Sequence, residues 1–571
     1  MNECSWRNLA LASLCWPVLA LAQTPEDKAP QDIPATTVAA PAAASVAAPI
    51  DRFEIKDFAI EGNTLLPPGQ ASVLLAPFIG PDKDYGDVQQ ALEALENAYR
   101  SLGYSTVIVH VPEQELTQGH VRLQVRENRL GKVAVTGNAH FATDGVRASL
   151  PALQEGTVPN ARRLSENIQL ANENPARQVN VTLAMGEADG TVDAKVAVTE
   201  DDPQKFIVSL NNTGTSSTGR SRLSVAYQHA DVLKSDHTLT LAYTGSLDAP
   251  GDVKVDIYSL AYRLPLYTLG DSIELMYGNS SVNTPSVQAT GFGLAGKGEV
   301  ASLRYNHYFP RSGAFSSKIS ASLEYKYFNT RCSVGGVPVP FDPPLPPLAS
   351  CVPYTTRPLS LTYSGGWQGL DLVADYNIGL SYNLPLGTRY LYPASGQTDY
   401  YSTIAGRPVS DHFSILRFGG SLTKALPADW QGRLAFSGQY SHRGLVSGEQ
   451  FGLAGSTAVR GFGERAVATD TGYLLNLEIY TPELAKYLGI PGSLRSLGFL
   501  DLASGRNLGV LQPTEGTAGT MSVASTGLGV RYNFLKSYSL RADMANVLKA
   551  GPTGTEDRGD WYTHFSLMAS F

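Results

Sequence analysis

The residue types that do chemistry are sparse in this chain and poorly spaced for it. Nine histidines are scattered with no H-E-x-x-H pair to hold zinc on a helix face, and no serine sits in the G-x-S-x-G turn that exposes a hydrolase nucleophile. The stretch Gly291-Phe-Gly-Leu-Ala-Gly-Lys-Gly298 contains G-x-G-x-x-G and almost a Walker A loop. It lacks two parts of that chemistry: glycine follows Lys297 where a hydroxyl must meet magnesium, and an alternating strand follows where a helix N-terminus must face the phosphate. A flexible outer loop accounts for it. Cys332 and Cys351 flank a proline-dense stretch, Val337 to Pro347, and in an oxidising compartment they can close a loop of about twenty residues, worth about 3 kcal/mol. Two thiols with no histidine between them make a poor metal site. No catalytic, cofactor-binding or metal-binding residue is expected, and no enzyme. Arg433, Glu478, Arg531, Arg541 and Asp543 mimic acid–base pairs but alternate with apolar neighbours, as the lining of a polar pore would.

Strands are the elements that must position these charges. The last eleven residues alternate, placing Trp561, Phe565, Leu567, Ala569 and Phe571 on one face and Tyr562, His564, Ser566 and Ser570 on the other. A strand with a greasy side, a polar side and a terminal aromatic is what a transmembrane β-barrel presents to lipid and lumen. Beyond Pro203 helical periodicity disappears, and sixteen alternating segments follow at roughly 205–213, 220–230, 236–245, 253–263, 271–279, 298–309, 315–328, 355–366, 369–383, 411–424, 430–443, 472–482, 495–504, 524–534, 537–547 and 560–571. Their number is even. Connections after odd strands are mostly long (329–354, 384–410, 444–471, 505–523) and those after even strands mostly short, the asymmetry of outer loops and inner turns, with 483–494 as a longer inner turn. Leu528, Val530, Tyr532 and Phe534 oppose Gly527, Gly529, Arg531 and Asn533, so charges point one way. A soluble sandwich or propeller also alternates, but its polar face meets bulk water and requires no terminal aromatic.

Only 17% of the 571 residues are charged and 55 are glycine, against a usual charged share of about 25%, which suits extended, turn-rich structure. The net charge of -8 argues against nucleic acid, whose phosphates demand a basic face. At the N-terminus Arg7, an apolar stretch from Leu9 to Leu21, and Ala20-Leu-Ala22 form the pattern of a secretory signal cut before Gln23, which removes Cys4 and Cys15. After it no apolar run reaches the roughly eighteen residues of a membrane helix, so membrane residence requires a closed barrel. Residues 23–51 read as an alanine- and proline-rich tether in which a long helix is disfavoured.

From Arg52 to about Arg126 the pattern is strand, helix, helix, strand, strand. Phe53 to Ile60 alternates; Val88, Leu92, Leu95, Tyr99 and Leu102 recur at helical spacing, with Asp87 as the expected cap and Gly103 as the stop. A second unit echoes it: Glu61-Gly-Asn63 and Thr136-Gly-Asn138 end equivalent strands, Leu164 to Asn172 reads as a helix, and strands follow at Val179 to Ala184 and Val192 to Val198.

Two such modules ahead of a sixteen-strand barrel resemble the two-partner secretion transporters, the haemolysin and filamentous-haemagglutinin exporters of the Omp85 superfamily, over residues 52 to 571. The resemblance rests on Phe58-Ala-Ile-Glu-Gly-Asn63, Leu102-Gly-Tyr104, Val135-Thr-Gly-Asn138, Leu170-Ala-Asn-Glu-Asn-Pro175, and Asn211-Asn-Thr-Gly214 with Thr218-Gly-Arg-Ser-Arg222. Above all it rests on Val459-Arg-Gly-Phe462, which looks like the signature at the tip of the family's sixth outer loop. It implies a signal peptide (1–22), a linker (23–51), two POTRA domains (52–126 and 127–202) and a 16-stranded antiparallel transmembrane β-barrel (203–571). In the family the loop folds into the lumen and its arginine pairs with an aspartate on the inner wall, in the pattern aromatic or Gly, any residue, Asp, any residue, Gly. Phe499-Leu-Asp501 supplies the first part. Ala503 stands where glycine is expected, a methyl group that would tighten the wall. Arg460 suits Asp501 because a guanidinium keeps its charge and fork geometry at any relevant pH. The glycine-rich loop from Arg443 to Thr471 is read as a plug or lever, and Phe571 as a barrel-closing signal for the assembly machinery. The implied function is export of an unfolded partner exoprotein, captured in the periplasm by its N-terminal secretion domain and passed through the outer membrane. A general barrel-assembly factor of the same superfamily and a simple diffusion porin are the alternatives; a porin needs no periplasmic modules, and the general factor resembles a longer array of them.

Overall fold

The computed structural model describes residues 52–67, 69–115, 118–215, 218–248, 255–281, 298–328, 333–334, 337–338, 354–386, 409–509, 519–535 and 537–571. The signal segment, the tether, the glycine-rich 291–297 and both Cys332 and Cys351 lie outside these residues.

Two α+β modules come first. One runs β1 (Phe53–Ile55), β2 (Asp57–Glu61), α1 (Gln70–Leu75), β3 (Gly80–Lys83), α2 (Tyr85–Ser101), β4 (Val107–His110) and β5 (His120–Glu127). The other runs β6 (Arg129–Thr136), α3 (Thr143–Ala148), α4 (Ala161–Ala171), β7 (Arg177–Met185) and β8 (Thr191–Glu200). Both sheets share one topology, β2-β5-β4 and β6-β8-β7, with the first pairing parallel and the second antiparallel. The echoed Gly-Asn pairs build the same corner twice. Gly62 and Gly137 adopt φ of 81° and 87°, and a side chain there would meet the carbonyl oxygens of Val125 and Val198 at 2.4 and 2.3 Å. A glutamate then closes each corner: Glu127 accepts from the backbone N–H groups of Thr64 (2.7 Å) and Leu65 (3.0 Å), and Glu200 from those of Ala139 (2.7 Å) and His140 (2.6 Å).

Helix α2 buries Val88, Ala91, Leu95 and Tyr99. Its cap is Asp84 rather than Asp87. The Asp84 carboxylate accepts from the N–H groups of Gly86 and Asp87, while the Asp87 carboxylate accepts from the Asp84 N–H. Both ends of a capping box carry acidic side chains here, so residue type alone does not distinguish cap from third position. At the other end Gly103 takes φ 97°, and Tyr104 N–H to Tyr99 O and Gly103 N–H to Arg100 O, both 2.9 Å, satisfy the last carbonyls. Asn160 joins the modules there: its carboxamide donates to Leu102 O at 2.9 Å and accepts from the first turn of α4.

Sixteen antiparallel strands close the barrel: β9 (Gln204–Asn211), β10 (Arg222–Val232), β11 (His237–Ser246), β12 (Asp256–Leu266), β13 (Asp271–Ser280), β14 (Gly298–Ser312), β15 (Phe315–Phe328), β16 (Pro358–Gln368), β17 (Leu372–Asn383), β18 (Ser414–Ala425), β19 (Gln431–Ser441), β20 (Thr471–Tyr480), β21 (Ser493–Arg506), β22 (Thr520–Phe534), β23 (Tyr538–Lys549) and β24 (Trp561–Ser570). Polarity is inverted relative to a soluble core. Leu241, Tyr243, Leu260, Leu275, Leu303, Leu361 and Leu380 are exposed outside, while Gln228, Thr240, Ser302, Asn306 and Ser320 are buried within. An apolar exterior around a polar lumen requires lipid as solvent. The seam between β24 and β9 pairs five residues, Ser566 to Ser570 against Asn211 to Ile207. Phe571 extends it by exchanging backbone bonds with Phe206 (3.0 and 2.9 Å), and the Asn212 side chain extends it at the other end, donating to Thr563 O (2.6 Å) and accepting from Phe565 N–H (2.9 Å).

The second module is fastened beneath the barrel. Arg177, in β7, reaches Asp236 in the β10–β11 turn at 2.5 Å, and the same carboxylate accepts from Asn174 and from the Tyr267 hydroxyl of the β12–β13 turn. Asn174 also donates to Ala230 O at 2.7 Å, which gives the Asn-Glu-Asn-Pro motif a mechanical role. Helix α4 lies under β12 to β15, with Leu170 O accepting from Arg263 (3.3 Å) and Ser165 Oγ from Arg311 N–H (2.8 Å).

Candidate functional site: the loop in the lumen

The connection between β19 and β20 folds back on itself. Phe451–Gly452 pairs with Ala468–Thr469, Leu453 N–H donates to Val467 O at 2.8 Å, and Val459 N–H to Leu453 O at 3.1 Å. Its apolar side chains, Phe451, Leu453, Val459, Phe462 and Val467, form one core with the wall residues Leu474, Ala503, Met521, Val523 and Val547. Burial of such a set fixes the loop against β20 to β23 without covalent help. The methyl of Ala503 belongs to this core.

Arg460 sits at the centre, 2% exposed. Its Nε donates to Asp501 Oδ2 at 2.7 Å and its Nη2 to Asp501 Oδ1 at 2.8 Å, a bidentate fork, and its backbone N–H adds a third bond at 3.1 Å. Nη1 lies 2.9 Å from Glu478 and 3.4 Å from Asp543. The guanidinium carbon stands 3.6 Å over the Phe499 ring, so the aromatic wall residue holds the cation face-on. Three strands, β20, β21 and β23, therefore each contribute one carboxylate. Arg433 (3.0 Å from Glu478), Arg531 (2.8 Å from Asp543) and Arg541 (3.1 Å from Asp543) complete the array. Buried charges of this number are tolerable only when every one is paired.

Gly461 explains the residue after the arginine. At φ 97° its N–H donates to His564 Nε2 at 3.1 Å, which assigns the ring proton to Nδ1. A Cβ there would press on Ala545, Ser525 and Val547 at 3.3 to 3.4 Å. Of the residues singled out by sequence, the structure brings Val459, Arg460, Gly461, Phe462, Phe499 and Asp501 together, along with Glu478, Asp543, Arg433, Arg531 and Arg541. Phe571 lies elsewhere, at the seam. Sequence reasoning placed Glu478 and Asp543 in the lumen without joining them to Arg460, and it missed His564 as a partner; alternation gave the face of each but not its depth. The array has salt links and no nucleophile poised by a base, and among the described residues no cluster of His, Cys, Asp or Glu is placed to hold a metal.

The family model described as POTRA domain, ShlB-type, matches residues 53–128, and the model described as haemolysin secretion/activation protein ShlB/FhaC/HecB matches 190–336 and 364–532. The outer membrane transporter CdiB of Dickeya dadantii is 23% identical over 431 residues, 74% of this chain and 71% of its own. The heme/hemopexin transporter protein HuxB of Haemophilus influenzae is 20% identical over 549 residues, covering 92% of this chain and 87% of its own. Among solved structures, CdiB from Escherichia coli superposes with a TM-score of 0.70 at 17% identity, covering 94% of this chain and 93% of the other. CdiB from Acinetobacter baumannii gives 0.67 at 18%, covering 91% and 90%. At such identities the structural likeness speaks to fold.

Proposed function

The chain belongs to the haemolysin secretion/activation family of ShlB, FhaC and HecB, outer-membrane transporters of two-partner secretion, and on that premise we propose that it exports one partner exoprotein through a barrel whose sixth outer loop is the closed state's plug. The barrel stands in the outer membrane with its modules in the periplasm. The observation that carries the plug reading is Arg460, a loop cation buried in the lumen against three wall carboxylates. A passive loop has no use for such a cluster, whereas a gate needs an anchor strong enough to close and specific enough to re-form.

The partner's N-terminal secretion domain is captured by the modules. Among the described residues, strands β2 and β4 each pair on one side only, leaving edges to which an extended segment adds a strand. Beside α1 an apolar groove of about 360 Å³, lined by Leu66, Val73, Leu74 and Ala98, receives its side chains. The cargo crosses unfolded, and its folding outside supplies direction.

The experiment compares supernatants and single-channel recordings of the parent and Arg460→Ala. Loss of one exoprotein from the medium together with a larger or more frequently open pore is expected. Unchanged secretion and unchanged conductance would sink the plug reading, and a general collapse of outer-membrane barrels on deletion would assign the chain to barrel assembly instead.

A further inference from the structure

The plug loop carries a second buried charge, of opposite sign, at its base. Glu449 is 1% exposed and is the last residue of the short 3-10 turn Ser447–Glu449. Its Oε1 accepts from Lys326 Nζ of β15 at 3.1 Å and from Thr356 Oγ1, in the short strand preceding β16, at 3.0 Å. Its Oε2 accepts from Arg417 Nη2 of β18 at 3.1 Å. All three donors stand on an arc of wall that does not include β20, β21 or β23, where Arg460 is held. Thus the loop offers an anion to a basic arc and a cation to an acidic one. Between these points it is braced on itself by the Phe451–Gly452 and Ala468–Thr469 pairing and by Asp470, which accepts from Leu445 N–H (3.1 Å). At its base it is tied to its neighbours: Gln439 Nε2 of β19 donates to both Glu449 O (2.9 Å) and Asp470 O (3.1 Å), and Leu508 N–H, just past β21, to Asp470 (2.8 Å).

We infer that Glu449 is a second anchor of the gate: the loop closes as one braced body held at two charge sites of opposite polarity, and both must release for the pore to open. The inference rests on the plug reading above. What makes release feasible is that each wall group keeps a partner when the loop departs. Lys326 keeps Glu324 at 2.7 Å, and Arg417 keeps Gln439 at 2.9 Å. On the other arc Glu478 keeps Arg433 and Tyr480, Asp543 keeps Arg531 and Arg541, and Asp501 keeps Asn476 at 2.8 Å. Withdrawal therefore leaves every wall charge at least one hydrogen-bond partner, an opposite charge for Lys326, Glu478 and Asp543 and a neutral amide for Asp501 and Arg417, which lessens the penalty of breaking a buried ion pair. Glu449 and Arg460 leave for water, where each is solvated. The geometry is that of a latch built to be undone and remade.

The test uses the full chain in planar bilayers, with Glu449→Gln, Lys326→Gln, Arg460→Ala and the Glu449→Gln/Arg460→Ala pair. Electrophoretic mobility before and after heating reports whether each barrel is folded. Each single variant is expected to raise open-state occupancy about tenfold, and the double variant to exceed either. If Arg460→Ala opens the pore while Glu449→Gln and Lys326→Gln stay at the parental occupancy, the loop is a plug with one anchor and the inference is wrong. If none of the three changes occupancy, the plug reading falls and the inference with it. Should Glu449→Gln fail to fold, Lys326→Gln carries the test; failure of both to fold would assign the cluster to barrel stability and overturn a gating role.

Discussion

Two substitutions at the loop tip separate charge from shape. Arg460→Lys keeps the cation but loses the fork that spans both oxygens of Asp501 and the flat face stacked on Phe499; an ammonium cannot reproduce that geometry. Its channel is expected to open nearly as often as that of Arg460→Ala, and recordings indistinguishable from the parent would refute the geometric account. Gly461→Ala keeps every charge but forces a side chain into a left-handed conformation at a wall contact. A cost of about 1–2 kcal/mol is expected, read as a lower temperature for the heat-dependent shift in electrophoretic mobility. Much of this site was legible in the sequence because Arg460 and Asp501 sit in recognisable local patterns. Glu449 was not, because nothing local distinguishes a glutamate in a glycine-rich loop from a solvated one; its meaning comes from Lys326, Thr356 and Arg417, far away in sequence. The Asp84 cap was missed for a smaller reason, since two acids within one turn satisfy the same pattern.

Strands were easier than loops. A barrel strand faces two solvents of opposite polarity, so alternation runs its full length, and segments such as 298–309 and 315–328 correspond to β14 and β15. The loop's internal pairing carries no such signal, being two residues per side. The longer inner turn between β20 and β21 holds a one-turn helix, α5 (Ala485–Leu488), organised by Glu483. That carboxylate accepts from Ala485 N–H (3.0 Å), Leu494 N–H (2.7 Å) and the Ser493 hydroxyl. Partial burial works to raise its pKa, but these bonds and nearby Arg495 outweigh it, and the group titrates below the ordinary glutamate range. A depressed carboxylate contributes stability that is whole above its unfolded pKa, about 4.3, and is lost as pH falls through the lower folded value. Hydrogen-exchange protection at Leu494, corrected for intrinsic rate, should thus decline as pH falls below about 4.3. In Glu483→Gln it should show no such step, and an unchanged step in that variant would exclude Glu483 as its source.

At the scale of the whole molecule, the second module and the barrel share a buried junction whose weakest point to attack is Arg177. The side chain is wholly buried and also lies 4.9 Å over the Phe141 ring. Its removal leaves Asp236 a buried carboxylate without its cation, at a cost on the order of 3 kcal/mol. Arg177→Ala is expected to broaden spin-label distances between the second module and the β10–β11 turn while leaving unheated electrophoretic mobility unchanged; an unaltered distance distribution would show that the apolar contacts suffice. The seam has a different consequence. Residues near 207 and near 570 pair there, so ring closure is the contact of highest order in the barrel, the one whose loop entropy is largest, and it receives five residue pairs where every other adjoining pair of strands has at least eight. Closure therefore belongs at the end of folding. Until β24 arrives, β9 waits with one edge bare, and the second module, already complete and bonded to the barrel's first hairpin through Asn174 Nδ2 to Ala230 O at 2.7 Å, holds that waiting strand in position, reducing the final search to the motion of the incoming one.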